Sequence, residues 1–196
     1  MDATIVIATY GDNKWFDIAD AYSLKSSRIL FKDMPIIRLH GGKTLAQSRN
    51  IAASMVETEW ICFLDADDEL ASDYFTVMDQ SNADLRIPRL MFWNTNTLDF
   101  YEPFKLNRRN MAHSNPCPIG TLIRKDMFDD IGGFWEEPVY EDWSLFRRAW
   151  LLGASMQHMN TDYYAYNVGG RNSSTDDPMG EVERIKSSHE EWINSR

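Results

Sequence analysis

The 196-residue sequence has few cysteines and no long hydrophobic run. Its two cysteines lie far apart in the chain, Cys62 in an apolar run and Cys117 between prolines, and they form neither a disulfide framework nor a thiolate metal cluster. The longest apolar runs, such as residues 61–64, are far shorter than the roughly 20 residues that a membrane-spanning helix needs. We therefore expect no membrane span and two unpaired cysteines in a reducing compartment.

Positive charge is also scarce. Twenty Lys and Arg residues against thirty Asp and Glu residues give a net charge of −10. Such a surface repels a polyphosphate backbone, which argues against nucleic acid as a partner. The N-terminus enters an apolar stretch without the basic segment or cleavage site of a signal peptide, so the predicted location is the cytoplasm. The acidity keeps the protein soluble, or it reflects in part a cation site.

The hydrophobic content of 43% and the aromatic content of 13% are sufficient for a folded core, and the length suits one domain. Residues 3–8 are apolar and rich in β-branched side chains, which predicts a buried parallel strand that ends in a loop at residues 9–13. Helical spacing then predicts one helix over residues 15–26. A second strand is expected within residues 28–39.

A second helix and a strand precede the most acidic segment. Gly41 and Gly42 break the chain, and Thr44 with Gln47 fits a capping box, which predicts a helix from residue 45 to about residue 56. Residues 60–64 form a predicted buried strand that stops at an acidic cluster. Alternating strands and helices predict a doubly wound α/β sheet, in which ligands bind beyond the carboxyl ends of the strands. The acidic cluster is therefore in the expected place for a site.

The second half is less regular. Strands are predicted at residues 84–93 and 97–104, helices at 124–131 and 142–152, and a loop at 167–178. A last helix is predicted from the apolar stripe of Val182, Ile185, His189 and Trp192.

The acidic cluster contains an Asp-x-Asp pair, Asp65 and Asp67, directly after the predicted strand. Carboxylates so close raise one another's pKa unless a cation or an arginine offsets their charge. Such oxygen ligands suit Mg²⁺ or Mn²⁺, which bind through one or two carboxylates together with substrate phosphates. An acidic turn without function is the alternative interpretation. An EF-hand is excluded because its glycine and glutamate positions hold Leu70 and Thr76.

A phosphatase of the haloacid-dehalogenase type remains a second alternative, with Asp65 as its nucleophile and Asp67 as its acid. That family's motif normally lies on the first strand and continues to Thr or Val, where this chain has Glu69.

Five sequence blocks stand in a familiar order: residues 5–12 (IVIATYGD), 44–52 (TLAQSRNIA), 60–70 (WICFLDADDEL), 120–134 (GTLIRKDMFDDIGGF) and 140–153 (YEDWSLFRRAWLLG). Together they resemble family 2 glycosyltransferases of the GT-A fold over nearly the whole chain. The resemblance implies a single α/β GT-A domain with a Rossmann-like, mainly parallel sheet flanked by helices. Residues 1–85 would bind a nucleotide sugar, and residues 86–196 would bind the acceptor.

The resemblance also implies a donor site. Thr9, Tyr10 and Asp12 look like the loop that holds the base and ribose, and Arg49 resembles the arginine beside the donor and the acidic motif. Relatives often carry an Asp-Asp-Gly-Ser segment that contacts the base, and none occurs between residues 28 and 45. His40 or a backbone group would replace it, so the base stays undetermined, with a UDP-sugar favoured.

Further roles follow from the same resemblance. Asp67 would bind Mn²⁺ or Mg²⁺, Asp65 would face the ribose or a metal-bound water, and Asp142 would be the general base. Arg171 lies where relatives often have a histidine, and it either holds the diphosphate or is a solvated loop residue. The implied reaction is inverting transfer of a sugar from a nucleotide-diphosphate sugar to a glycan, lipid-linked or protein hydroxyl. A non-enzyme alternative is a degenerate sugar-binding module.

Overall fold

The computed structural model describes residues 1–101, 111–112, 115–166 and 176–196. The elements in chain order are β1 (Ala3–Thr9), α1 (Lys14–Ala21), α2 (Ser23–Leu30), β2 (Ile36–His40), α3 (Leu45–Ala53), β3 (Trp60–Phe63), β4 (Glu69–Leu70), α4 (Tyr74–Met78), β5 (Leu85–Asn94), β6 (Asp99–Tyr101), β7 (Leu122–Arg124), α5 (Lys125–Asp130), α6 (Glu141–Leu151), β8 (Met156–Ala165) and α7 (Pro178–Asn194).

The strands form one sheet in the order β2-β1-β3-β7-β5-β8-β4, with β6 paired to β5. Parallel pairing joins β2, β1 and β3, and it also joins β5 and β8. The short strand β7 is antiparallel to both β3 and β5, so the five longer strands all point the same way. The predicted α/β fold with a mainly parallel sheet is confirmed, with short antiparallel strands at its centre and edges.

Strand β1 is buried along its whole length, as its apolar sequence predicts for a parallel strand covered on both faces. It pairs with β2 on one side and β3 on the other. Because β1 and β3 are parallel neighbours, the loops that follow them emerge at the same edge of the sheet. This arrangement brings the loop after Thr9 close to the acidic turn that begins at Asp65.

The single helix predicted over residues 15–26 is wrong. Tyr22 has φ −115° and ψ −88°, and it separates α1 from α2. The break turns Ser23 and Leu24 into the core, and the Ser23 N–H donates to the carbonyl of Ala66 at 3.4 Å. A contact with the acidic turn, distant in sequence, thus replaces a continuous helix that the local spacing favours.

Helix α3 begins as predicted, since Thr44 Oγ1 accepts a hydrogen bond from Gln47 N at 3.1 Å. The reciprocal bond goes one residue further back than a capping box requires, because Gln47 Oε1 accepts from Lys43 N at 3.0 Å. The helix ends at Ala53, three residues before the predicted end at about residue 56.

The second half contains two strands that were not predicted. Strand β8 is ten residues long and carries many polar side chains, and β7 has only three residues. Strand β6 covers Asp99–Tyr101, shorter than the predicted 97–104, of which 102–104 lie outside the described residues. The helices predicted at 124–131 and 142–152 are present as α5 and α6, and the stripe of α7 buries Ile185 and His189.

In the described part of the chain, every helix is too short or too polar to cross a membrane.

Candidate functional site

A cleft of about 670 Å³ opens at the edge of the sheet where β1 and β3 end. Seven of the eight residues predicted for the site line this cleft: Thr9, Tyr10, Asp12, Arg49, Asp65, Asp67 and Asp142. The eighth, Arg171, lies outside the described residues. Strand ends, helix α3 and helix α6 therefore bring residues from across the sequence to one space.

Arg49 joins two walls of the cleft. Its Nη2 is 2.7 Å from Asp65 Oδ1, and its Nη1 is 2.9 Å from Glu141 Oε1. The guanidinium carbon also lies 5.0 Å from the ring centre of Phe134. The side chain is only 4% exposed, so both carboxylates compensate a charge that has left water. The acidic turn after β3 is thereby tied to the first turn of α6.

Glu141 was not among the predicted site residues. The only sequence signal for it is its place beside Asp142 at a helix N-terminus, where acidic residues are common for electrostatic reasons. Its contact with Arg49 spans 92 residues of sequence, which explains why local reasoning does not find it.

A second residue of α3 docks that helix on the segment before α6. Asn50 Nδ2 donates to the carbonyl of Phe134, and Phe134 N donates to Asn50 Oδ1, both at 2.8 Å. Gly133, at φ +65°, passes so close that an added Cβ would lie 2.6 Å from Asn50 Oδ1. The pair of bonds places the Phe134 ring beside Arg49.

Asp65 and Asp142 are two carboxylates of the cleft whose pKa values are raised. Burial raises the pKa of Asp65, while the charge and hydrogen bond of Arg49 lower it and the neighbouring Asp67 raises it again. Burial followed by repulsion from Glu141 raises the pKa of Asp142 to about 7. A group with this pKa exchanges a proton near neutral pH, the range useful for acid–base chemistry.

Asp68 links the acidic turn to the rest of the fold. Its Oδ2 accepts from the Tyr163 hydroxyl at 2.5 Å, and its Oδ1 accepts from Tyr166 N at 3.0 Å. Burial is the largest cause of its raised pKa. These bonds anchor the turn to strand β8 and to the residue that follows it, and Asp68 lines the cleft beside Asp65 and Asp67.

Gly120 leaves room for the ring that holds Asp68, because a Cβ at this position would lie 2.0 Å from Tyr163 Cδ2. We expect Gly120→Ala to displace Tyr163 and to lower the free energy of unfolding by roughly 1–3 kcal/mol, the usual cost of overpacking. Chemical denaturation would measure this change. Gly41→Ala is the matched control, since a Cβ there meets nothing within 4 Å. Equal stability of the two variants would contradict the packing argument.

Asp142 lies in the first turn of α6, two positions after a residue with a strained backbone. Tyr140 precedes the helix with φ 63° and ψ 31°, a left-handed conformation that a non-glycine residue adopts at some energetic cost. Asp142 Oδ1 accepts from Trp143 N at 2.7 Å, and Oδ2 accepts from Asn115 Nδ2 at 2.6 Å. Asn115 was also not predicted, and nothing in its local sequence indicates the contact.

No group of three or more His, Cys, Asp or Glu side chains that could hold a metal ion occurs in the described ranges. The cleft instead presents Asp65 and Asp67, with Asp65 already paired to Arg49. This set fits a hard divalent cation that takes one or two carboxylates and completes its shell with water and substrate phosphates. It does not fit a cation enclosed by protein ligands alone.

The sequence model described as glycosyl transferase family 2 matches residues 17–132, a range that includes Arg49, Asp65 and Asp67 and precedes Asp142. No curated protein matches the chain by sequence.

Three solved structures of S. aureus TarS 1-349 have similar folds. The complex with UDP-GlcNAc has a TM-score of 0.66 and 17% identity, covering 96% of this chain and 66% of that one. The structure without a named ligand has a TM-score of 0.62 and 17% identity, covering 96% and 65%. The complex with UDP has a TM-score of 0.62 and 18% identity, also covering 96% and 65%.

The chain thus spans slightly less than two thirds of the length of these structures, and at this identity the likeness concerns the fold. The family match covers more than half of the chain, and the sheet, its helices and the cleft correspond to the predicted architecture. The chain belongs to glycosyl transferase family 2 and has the GT-A fold.

Proposed function

We propose that this chain is an inverting glycosyltransferase that moves a sugar from a nucleotide-diphosphate sugar to a hydroxyl acceptor. The observation that carries the proposal is the double ion pair of Arg49 with Asp65 and Glu141. The acidic turn and Asp142 both line one cleft, and Arg49 links the turn to Glu141, the residue beside Asp142. A donor held at the acidic turn would lie in the same cleft as a carboxylate able to take a proton. Family membership favours transfer over the phosphatase alternative.

The donor's nucleoside is assigned to the end of β1 and the loop that follows it, where Thr9, Tyr10 and Asp12 line the cleft. Asp12 Oδ1 already accepts from Lys14 N at 2.9 Å, which holds this loop at the start of α1. The TarS structures are described with UDP-GlcNAc and with UDP, and this supports a UDP-sugar as the donor to test first.

Asp67 and Asp65 are assigned to a divalent cation, Mn²⁺ or Mg²⁺, shared with the donor's diphosphate. When bound, such an ion would stabilise negative charge on the departing diphosphate. Arg49 keeps the carboxylate of Asp65 in place and offsets its charge. Asp68 is assigned to the scaffold of the turn instead, because it is buried and accepts hydrogen bonds from the Tyr163 hydroxyl and from Tyr166 N.

Asp142 is assigned as the general base. The acceptor oxygen forms a bond to the anomeric carbon as the bond to the diphosphate oxygen breaks, and the hydroxyl proton passes to the Asp142 carboxylate. Attack from the face opposite the leaving group inverts the anomeric configuration. Base catalysis of this kind typically contributes 10²- to 10⁴-fold to the rate.

The first experiment is thermal stability against a panel of nucleoside diphosphates and nucleotide sugars, with Mn²⁺, with Mg²⁺ and with chelator. A ligand that binds only the folded protein adds about 2.7 kcal/mol at a concentration 100-fold above its Kd. Stabilisation by one nucleotide that disappears with chelator supports the donor and cation assignments. Stabilisation by none of them contradicts the proposal.

We expect Asp67→Ala to remove the metal-dependent part of this stabilisation, because the cation would lose a direct carboxylate ligand. The measurement is the shift in melting temperature produced by the same nucleotide with and without Mn²⁺. Asp33→Ala, which removes an exposed carboxylate outside the cleft lining, is the control and should keep the full shift. An unchanged metal-dependent shift in Asp67→Ala would remove Asp67 from the site.

A further inference from the structure

Asn115 lies at the cleft on a stiff segment of chain. Pro116 and Pro118 flank the buried Cys117, and each proline ring restricts its own backbone φ angle. The segment leads into Gly120, which packs against Tyr163. The two proline rings and the packing of Gly120 against Tyr163 therefore restrict the backbone that carries Asn115.

Both ends of the Asn115 amide have partners that fix its orientation. Its Oδ1 accepts a hydrogen bond from Cys117 N at 3.1 Å, and its Nδ2 is 2.6 Å from Asp142 Oδ2. An amide turned by 180° would direct its NH₂ group at the Cys117 N–H and its oxygen at a carboxylate. Because that arrangement loses both bonds, the group that faces Asp142 is the donor.

Asp142 consequently has one donor on each oxygen, Asn115 Nδ2 on Oδ2 and Trp143 N on Oδ1. Two bonds from different directions fix the plane of the carboxylate. Each oxygen has a second lone pair, which leaves capacity to accept a proton from a group in the cleft. The other charged groups that influence Asp142 are Glu141, Arg49 and Asp65, and the Cys117 thiol lies nearby.

We propose that Asn115 is a positioning residue for Asp142, whose hydrogen bond sets the direction of the carboxylate and stabilises its ionised form. The inference rests on the proposed role of Asp142 as general base. A donor directed at an ionised carboxylate favours that form over the protonated one. In a cleft where burial and neighbouring carboxylates favour protonation, this bond keeps the base available.

The test is the titration of the Asp142 carboxyl carbon by ¹³C NMR, with the signal assigned by its loss in Asp142→Asn. Asn115→Ala removes the donor, and we expect the pKa of Asp142 to rise by about one unit. Asn115→Asp preserves the acceptor for Cys117 N and places a second carboxylate against Asp142. We expect these two groups to titrate as a pair with a larger upward shift, because they resist joint ionisation.

The pH dependence of UDP-sugar turnover, with water as acceptor where no other is known, should move to higher pH in the same order. Asn94→Ala is the matched control. Like Asn115, Asn94 accepts a hydrogen bond through Oδ1 from the backbone N–H of the second residue after it, here Asn96 N at 2.9 Å. It should leave both the carboxyl titration and the pH profile unchanged.

A carboxyl titration that is the same in wild type, Asn115→Ala and Asn115→Asp would overturn the proposal. If Asn115→Ala does not fold, Asn115→Asp decides the matter, because it keeps the turn that the amide oxygen makes. A shifted titration in a protein that transfers no sugar would support the Asn115 contact and contradict the proposed function instead. The two failures are thus distinguishable.

Discussion

Asp142→Asn is expected to lower kcat for sugar transfer by roughly 10²- to 10⁴-fold, because an amide cannot take the acceptor's proton. Nucleotide affinity should change little, since the donor contacts are assigned to the loop after β1 and to the acidic turn. The measurement is kcat and KM for UDP-sugar turnover, beside the Kd of UDP. Retained turnover would remove Asp142 from the role of base.

The same substitution carries a structural cost that must be measured separately. Both oxygens of Asp142 accept hydrogen bonds, from Asn115 and from Trp143 N. The amide that replaces the carboxylate has only one oxygen, so one donor loses its partner, at a cost of about 1–3 kcal/mol. Asp126→Asn is the matched control, because Asp126 Oδ1 accepts from the next backbone N–H at 2.6 Å in the first turn of α5.

The pH profile supplies a second readout of Asp142. Burial and Glu141 raise its pKa to about 7, so the carboxylate is protonated below that pH and ionised above it. A general base must be ionised, and the rate should therefore rise as the pH increases through about 7. A rate already at its plateau at pH 5 would show that the group with this pKa does not limit the reaction.

Arg49→Met is expected to lower the free energy of unfolding by about 3 kcal/mol, because it leaves Asp65 and Glu141 without their cation. This loss is at the low end of the range for breaking a buried ion pair, because the Asp65 side chain is 37% exposed. Burial lowers the pKa of Arg49 and the two carboxylates raise it, with the carboxylates prevailing. Chemical denaturation measures the loss, and metal-dependent nucleotide binding should weaken with it.

Two controls separate the geometry of Arg49 from its charge. Arg49→Lys keeps the charge but lacks the fork that reaches two carboxylates at once, so part of the stability should remain. Arg124→Met removes another arginine that pairs with two carboxylates, Glu59 and Asp84. All three of these side chains are about one third to one half exposed, unlike the buried Arg49. Its cost should be at most about 1 kcal/mol. Equal losses for Arg49→Met and Arg124→Met would contradict the importance of burial.

The elements that could be predicted are those whose evidence lies within a few residues. Strand β1 is continuously apolar, and Thr44 caps α3 through a side chain three positions from its partner. The acidic turn follows β3 directly, so its place at the sheet edge follows from the strand direction. Strand β8 was not predicted because many of its residues are polar. Its place in the sheet depends on pairing with β5, which is distant in sequence.

The sequence by itself determined the α/β fold, the family and most of the side chains that line the cleft, because hydrophobic periodicity, caps and motifs are local patterns. Tertiary structure decided what each carboxylate does. Asp68 belongs to the scaffold because Tyr163 reaches it across 95 positions, and Glu141 belongs to the site because Arg49 reaches it across 92. Carboxylates adjacent in sequence look alike, and only the partners that surround them after folding set their charge, direction and chemistry.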